Sequence, residues 1–152
     1  GADRPAGREL ALKLEEATWL PTAFRELETF LHGHLPATDE QTGVVLILAD
    51  RDGRGVRFAR AQQAMAAASR VGVRAGGILA EGLDAEWPAF LLPAGRVLVP
   101  EAHDLPAPVA ALLGTTTPLQ LLVERLARAR GTDPDPIRRD QLAYREAATL
   151  AE

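Results

Sequence analysis

The sequence predicts an α/β protein, a three-layer α/β/α sandwich built on a short parallel sheet. Three observations carry that reading. Val44-Val45-Leu46-Ile47-Leu48-Ala49-Asp50 is an almost unbroken aliphatic run, the pattern of a strand buried on both faces. Val73 to Ala80 and Arg96-Val97-Leu98-Val99 are two further short apolar runs. Helical patterns separate these runs, and strands that alternate with helices pack as a parallel sheet covered on both sides.

The chain opens almost directly on a helix, since Gly1 to Gly7 carry no strand signal. Leu10, Leu14 and Ala17, then Leu20, Phe24, Leu27 and Leu31, recur at helical spacing with one buried face. Pro21 interrupts the pattern and is expected to open a second helix, because proline fits a helix's first turn. Gly33 is expected to end it, and Pro36 to Gly43 to form a loop. After the first strand, Asp52-Gly53-Arg54-Gly55 makes a turn into a helix over Val56 to Val71, punctuated by Gly72. Gly76-Gly77 weakens the second strand's pattern. Phe90-Leu91-Leu92 is a further apolar run, less strand-like than Arg96 to Val99. Pro106 and Pro108 open a long helical tract, expected to break at Thr115-Thr116-Thr117-Pro118 and resume to Gly131. Asp133-Pro134-Asp135-Pro136 is a rigid turn, and Asp140 to Leu150 reads as a terminal helix.

Composition narrows the function classes. With 152 residues, 47% of them hydrophobic, the chain can bury one core, and residues 1–152 are expected to form a single domain. A net charge of −4 with interspersed signs offers no basic field for nucleic acid and no polybasic arm for a membrane. The absence of cysteine excludes a disulfide framework, a thiolate nucleophile and a thiolate metal site, and suits a reducing cytoplasm. Val44 to Ala49 is too short to span a bilayer, and no signal-peptide pattern precedes the first helix. No internal repeat or linker divides the chain.

The polar residues of interest lie beside the first helix's apolar stripe. Glu9, Lys13 and Glu16 stand at i, i+4 and i+7, so they line one helix face. Spacing alone leaves two readings open, a solvated face with a Glu-to-Lys pair or a reacting surface. His32 and His34 flank Gly33, where the helix dipole favours histidine in any case. With His103 the only other histidine, no metal site is expected, and no cofactor. Asp50, Asp52 and Gly53 resemble the opening of a calcium loop, yet the remaining ligands are missing and a turn accounts for them better. Glu101 follows the last strand, where α/β sheets place ligands beyond the strands' carboxyl ends. Arg138 and Arg139 are either a phosphate fork or surface residues.

Ala11-Leu12-Lys13-Leu14-Glu15-Glu16, followed sixteen residues later by His32-Gly33, resembles the sugar isomerase (SIS) domain. The likeness is to the second SIS half of the glutamine–fructose-6-phosphate aminotransferases, with A-L-K-L-K-E, a helical stretch and then H-G-P. Thr117-Pro118-Leu119-Gln120-Leu121-Leu122 resembles that family's P-L-Q-L-L helix. Arg130-Gly131-Thr132-Asp133-Pro134-Asp135 resembles its G-x-D-x-D turn. Pro134-Asp135-Pro136-Ile137-Arg138-Arg139-Asp140 with Tyr144 looks like the P-D-x-I-R-x-D…Y ending of SIS proteins grouped with sugar-phosphate deaminases and deglycases.

The resemblance implies a flavodoxin-like SIS fold and binding of a hexose or aminosugar phosphate. It implies a homodimer, an enzyme that isomerises, deaminates or deglycates its substrate, and no cofactor. Glu16 matches the glutamate that moves a proton between the first two sugar carbons, and Lys13 matches the lysine of the same surface. His32 matches a histidine that assists ring opening, often in a neighbouring subunit's site. Glu9 and Arg138 become candidate substrate-binding residues beside Glu101. The chemistry is coherent, since ketose isomerisation needs a tuned carboxylate to carry the proton and a cation beside the enediolate.

Three departures limit the likeness. His34 stands where the family has proline, and no lysine follows Lys13, although the aminotransferases form a Schiff base with a lysine near their C-terminus. No S-x-S-x-x-T phosphate loop is present. Gly1-Ala2-Asp3 resembles the G-x-D that follows the second half's first strand, so the chain is expected to be a C-terminal half that lacks that strand and works with an upstream SIS half. A free sheet edge of that kind predicts association or strand exchange. The alternatives are a non-catalytic phosphosugar-binding module and a dimerisation domain.

Overall fold

The aliphatic run does form the first strand. A computed structural model describes residues 1–150 and contains one sheet of three parallel strands, β1 (Gly43–Leu48), β2 (Arg74–Ala80) and β3 (Arg96–Val99), in that spatial order. Leu48 pairs with Leu79, and Leu79 with Leu98. The helices are α1 (Asp3–Thr18), the single turn α2 (Leu27–Thr29), α3 (Arg54–Arg70), α4 (Ala107–Arg130) and α5 (Leu142–Thr149).

Successive side chains of a strand point to opposite faces, and each face has its own core. Leu46, Leu48 and Leu79 pack against Ala61, Ala64, Met65 and Ala68 of α3, with Phe30 and Trp87 closing the layer. Val45, Ile47, Ile78 and Val99 pack against Leu10 and Ala17 of α1 and Leu119 and Val123 of α4. The architecture is therefore the three-layer sandwich. Ala61, Ala64 and Ala68 of α3 are fully buried, so that helix lies close on the sheet.

The two glycines of β2 answer to close neighbours. A Cβ on Gly77 would stand 2.8 Å from Leu92 Cδ1, and one on Gly76 would stand 3.3 Å from the Gly95 carbonyl oxygen. The chain between β2 and β3 folds back against the strand there, as the Ala94 N–H bond to Ala75 O (3.0 Å) also records.

Three expected elements differ. Pro21 opens no helix. Trp19 takes a left-handed conformation (φ 59°) at the end of α1, and helix resumes only at Leu27. Between them the chain returns along α1, held by Thr22 Oγ1 to Ala11 O (2.6 Å) and by Arg4 to Glu26 (2.7 Å). Gly7 makes room for this return, since a Cβ there would stand 2.6 Å from the Phe24 ring. The helical turns also run past Gly33, as a wide π-type turn over Phe30–His34 and a tight turn over Leu35–Ala37.

The break expected at Thr115 to Pro118 is absent, because α4 continues through Pro118. Proline there removes one N–H and crowds the carbonyl of Gly114 four residues earlier, a residue without a side chain. Buried Thr115 and Leu119 seat this stretch against α1 and the sheet, so packing overrides the local signal. Phe90-Leu91-Leu92 forms a tight turn, with Leu91 and Leu92 buried and Phe90 exposed.

Candidate functional site

Polar groups gather at two places, one at each end of α1. The first is beyond the carboxyl ends of the strands. Asp3, in the first turn of α1, accepts the N–H groups of Ala49 and Asp50 at 3.0 and 2.9 Å. Arg57 of α3 reaches Asp3 Oδ2 at 2.6 Å and lies 3.5 Å from Asp50 Oδ2. Asp50 also accepts the N–H of Ala2 and of Asp52, each at 3.0 Å. Burial is the main influence on Asp3 and raises its carboxyl above the usual 3.8, although the two backbone bonds and Arg57 pull the other way.

Glu101 belongs to the same end and is 9% exposed. Its carboxylate is paired with Arg54 and lies 3.1 Å from His103 Nε2. Its backbone N–H donates to Glu81 Oε1 (3.2 Å), and its carbonyl accepts from Arg51 (2.8 Å). Gly82 is pressed against it, since a Cβ there would meet Glu101 Oε1 at 2.6 Å.

The second place is the C-terminal half of α1. Thirteen residues at 1.5 Å per residue carry Glu16 about 20 Å from Asp3. Lys13 Nζ donates to Glu16 Oε2 at 2.7 Å, and both side chains remain partly open, at 43% and 31% exposure. Their geometry is that of an i, i+3 pair on one helix face. Its hydrogen bond to the Glu16 carboxylate is the main cause that raises the Lys13 ammonium above its usual 10.5. Glu9 is exposed one turn before Lys13.

Arg138 is brought to this end of α1 by aromatic rings. Its guanidinium stacks 4.5 Å from the Trp19 ring and 4.2 Å from the Tyr144 ring. Thr132 secures the same region by donating to Ala17 O at 2.6 Å. Arg138 and Ile137 both take positive φ, so the Asp133–Asp140 turn is tightly wound.

His32 stands on the wide turn after α2 and is exposed. Arg60 Nη2 lies 2.9 Å from His32 Nε2, and since arginine only donates, that nitrogen accepts. Glu28 grips Arg60 through two bonds of 2.6 Å, which holds the Glu28 carboxylate below its ordinary value. These partners tie His32 to α3, not to Lys13 or Glu16. The six candidates therefore do not meet at one point. Lys13 and Glu16 are in contact, Glu9 lies one turn before Lys13, Arg138 stacks on Trp19 just past the end of α1, His32 stands apart, and Glu101 lies at the opposite end.

Among the described residues, no group of three histidine or acidic side chains is arranged to hold a metal ion, and no helix is long and apolar enough to cross a membrane.

No protein-family model matches the chain, and no curated protein matches it in sequence. Solved structures do share its fold. One is described as the C-terminal domain of glucosamine-fructose-6-phosphate aminotransferase from Francisella tularensis, with a TM-score of 0.66 and 20% identity over 86% of this chain. This chain spans 34% of that protein's length. The fold is thus the SIS-type sandwich found in that C-terminal domain.

Sequence reasoning missed the Asp3–Asp50–Arg57 group and Arg54. A signal for part of it exists: an acid directly after the aliphatic run, Asp50, with arginines four and seven residues on. Asp3 carries no such signal, because only folding brings residue 3 to residue 50.

Proposed function

We propose that this chain is a phosphosugar-binding SIS domain and supplies part of the active site of an enzyme that isomerises, deaminates or deglycates an aminosugar or ketose phosphate. The observation that carries the reading is the Lys13–Glu16 pair, 2.7 Å apart and half open to solvent, on a fold shared with the C-terminal domain of a glucosamine-fructose-6-phosphate aminotransferase. Glu16 is the group that moves a proton between adjacent sugar carbons. Lys13 is its hydrogen-bond partner and stands ready to face the developing enediolate. Glu9 and Arg138, on either side, face the sugar's hydroxyl and phosphate groups. His32 acts across a homodimer on the neighbouring site, which agrees with its distance in bonding from Glu16. The phosphate loop comes from an upstream SIS half. Glu101, held by Arg54 at the far end, has no part in this reading.

The test is an assay of the chain joined to such a half, with fructose 6-phosphate and glucosamine 6-phosphate, for ketose, ammonia or isomer release. Glu16→Gln is expected to lower kcat by about 10²–10⁴-fold, the usual span for a lost acid/base group, with little change in sugar-phosphate affinity. An unchanged rate removes Glu16 from the mechanism.

A second reading, a non-catalytic phosphosugar-binding module, is favoured by the absence of any lysine after Lys13. It predicts hexose-phosphate binding without product, unaffected by Glu16→Gln.

A further inference from the structure

Glu28 and His32 stand four residues apart, so the helical turns that follow Glu26 bring both to one face. Arg60 of α3 meets that face, and every arm of its guanidinium is engaged. Nε donates to Glu28 Oε1 and Nη2 to Glu28 Oε2, each at 2.6 Å, and Nη1 donates to Gln63 Oε1 at 2.8 Å. A planar fork gripped on two sides keeps one orientation. In that orientation Nη2 lies 2.9 Å from His32 Nε2, so the imidazole meets a donor that can neither turn away nor lose its proton.

This contact decides where the imidazole proton is. A neutral imidazole carries one N–H, and which nitrogen holds it follows from what the other nitrogen meets. An Nε2–H would point donor to donor at Arg60. The acceptor it could turn to, Glu28 Oε2, is 3.5 Å away and already takes a hydrogen bond from Arg60. The proton therefore sits on Nδ1. That nitrogen has no hydrogen-bond partner among the described residues, and the His32 side chain is 74% exposed, so the Nδ1–H is free for another molecule. His103 has the reverse arrangement. Its Nε2 lies 3.1 Å from the Glu101 carboxylate, which only accepts, so there Nε2 carries the proton.

We infer that Arg60 is a positioning residue: it fixes His32 as the neutral Nδ1–H tautomer, and His32 reaches a sugar phosphate as a hydrogen-bond donor and not as a base. With Nδ1 protonated and Nε2 occupied, neither nitrogen of the neutral ring takes up a proton. The Nδ1–H instead serves the sugar oxygen on which negative charge gathers as the ring opens. Neutral imidazole acts as a donor of this kind in isomerisation elsewhere. The donor role rests on the phosphosugar reading, whereas the tautomer does not.

Long-range proton–nitrogen NMR spectra of the isotope-labelled chain at about pH 8, where imidazole is ordinarily neutral, read both tautomers at once. His32 is expected as Nδ1–H and His103 as Nε2–H. Arg60→Ala should move His32 toward Nε2–H, and Arg60→Lys, which keeps a donor, should hold it on Nδ1. Glu28→Gln loosens the grip on Arg60 and should weaken the Nδ1–H preference in part, which keeps the test open where Arg60→Ala does not fold. In the chain joined to an upstream SIS half, Arg60→Ala should lower kcat for fructose 6-phosphate at least about tenfold, the usual cost of losing a partner that orients a histidine, with KM little changed. Arg60→Lys should restore most of the rate. An Nε2–H at His32 in the unsubstituted chain overturns the inference, and so does an Nδ1–H that Arg60→Ala leaves in place. An unchanged rate in an active enzyme overturns the donor role. An inactive joined enzyme whose His32 still carries its proton on Nδ1 overturns the phosphosugar reading alone.

Discussion

The two ends of α1 treat charge in opposite ways. At Asp3 the carboxylate is buried and bound by two backbone N–H groups and Arg57, and its neighbours Asp50 and Glu101 are similarly enclosed. At Glu16 the carboxylate has one partner, Lys13, and partial access to solvent. A buried charge has lost its water and must be compensated in full, so its partners hold α1, the sheet and α3 together. A half-exposed pair contributes little to folding and keeps its remaining hydrogen-bonding capacity for another molecule. On the proposed function the first end is structural and the second is the place for chemistry, although strand carboxyl ends are where a ligand would be sought in many α/β proteins.

Substitutions can break this contrast. Arg57→Ala leaves Asp3 and Asp50 buried without their cation, and urea unfolding is expected to show a loss of about 3 kcal/mol. A loss below about 1 kcal/mol would show that this end is no more committed to the fold than the other. Arg138→Ala removes a guanidinium stacked between two rings and should cost about 1–2 kcal/mol, with α5 losing protection from hydrogen exchange first. Glu16→Gln should change stability by no more than about 0.5 kcal/mol, even where it abolishes turnover. A large loss there would make the pair structural.

The smallest effects are in pH. Asp3 binds its proton more tightly when folded than when unfolded, so its contribution to stability falls as the pH rises from 3.8 through the folded value. Lys13 also has a raised folded value, and for a base this means that the pair's contribution is complete below 10.5 and fades above it. Lys13, whose folded value lies above 10.5, does not titrate below about pH 9, where the pair's contribution should be flat. An NMR titration that puts the Asp3 midpoint at or below 3.8 would contradict the enclosed character of that end.

The legible part of the fold is the part governed by local pattern. The run from Val44 announced a doubly covered strand because a strand buried on both faces uses aliphatic, β-branched residues at both parities. Leu10, Leu14 and Ala17 marked the buried side of α1, and the same spacing placed Lys13 and Glu16 within reach of each other. Pro21 and Pro118 misled for a common reason. A proline states what its own backbone permits, whereas Phe24 packed over Gly7, and Thr115 and Leu119 on the buried side of α4, decide which permitted conformation is kept.

The sequence by itself therefore determined the strands, the main helices and the charged stripe on α1, since these depend on residues a few positions apart. Only the tertiary structure decided which charges are enclosed and which remain available. That choice depends on residue 3 meeting residues 50 and 57, and residue 54 meeting residue 101, distances along the chain over which no periodicity operates.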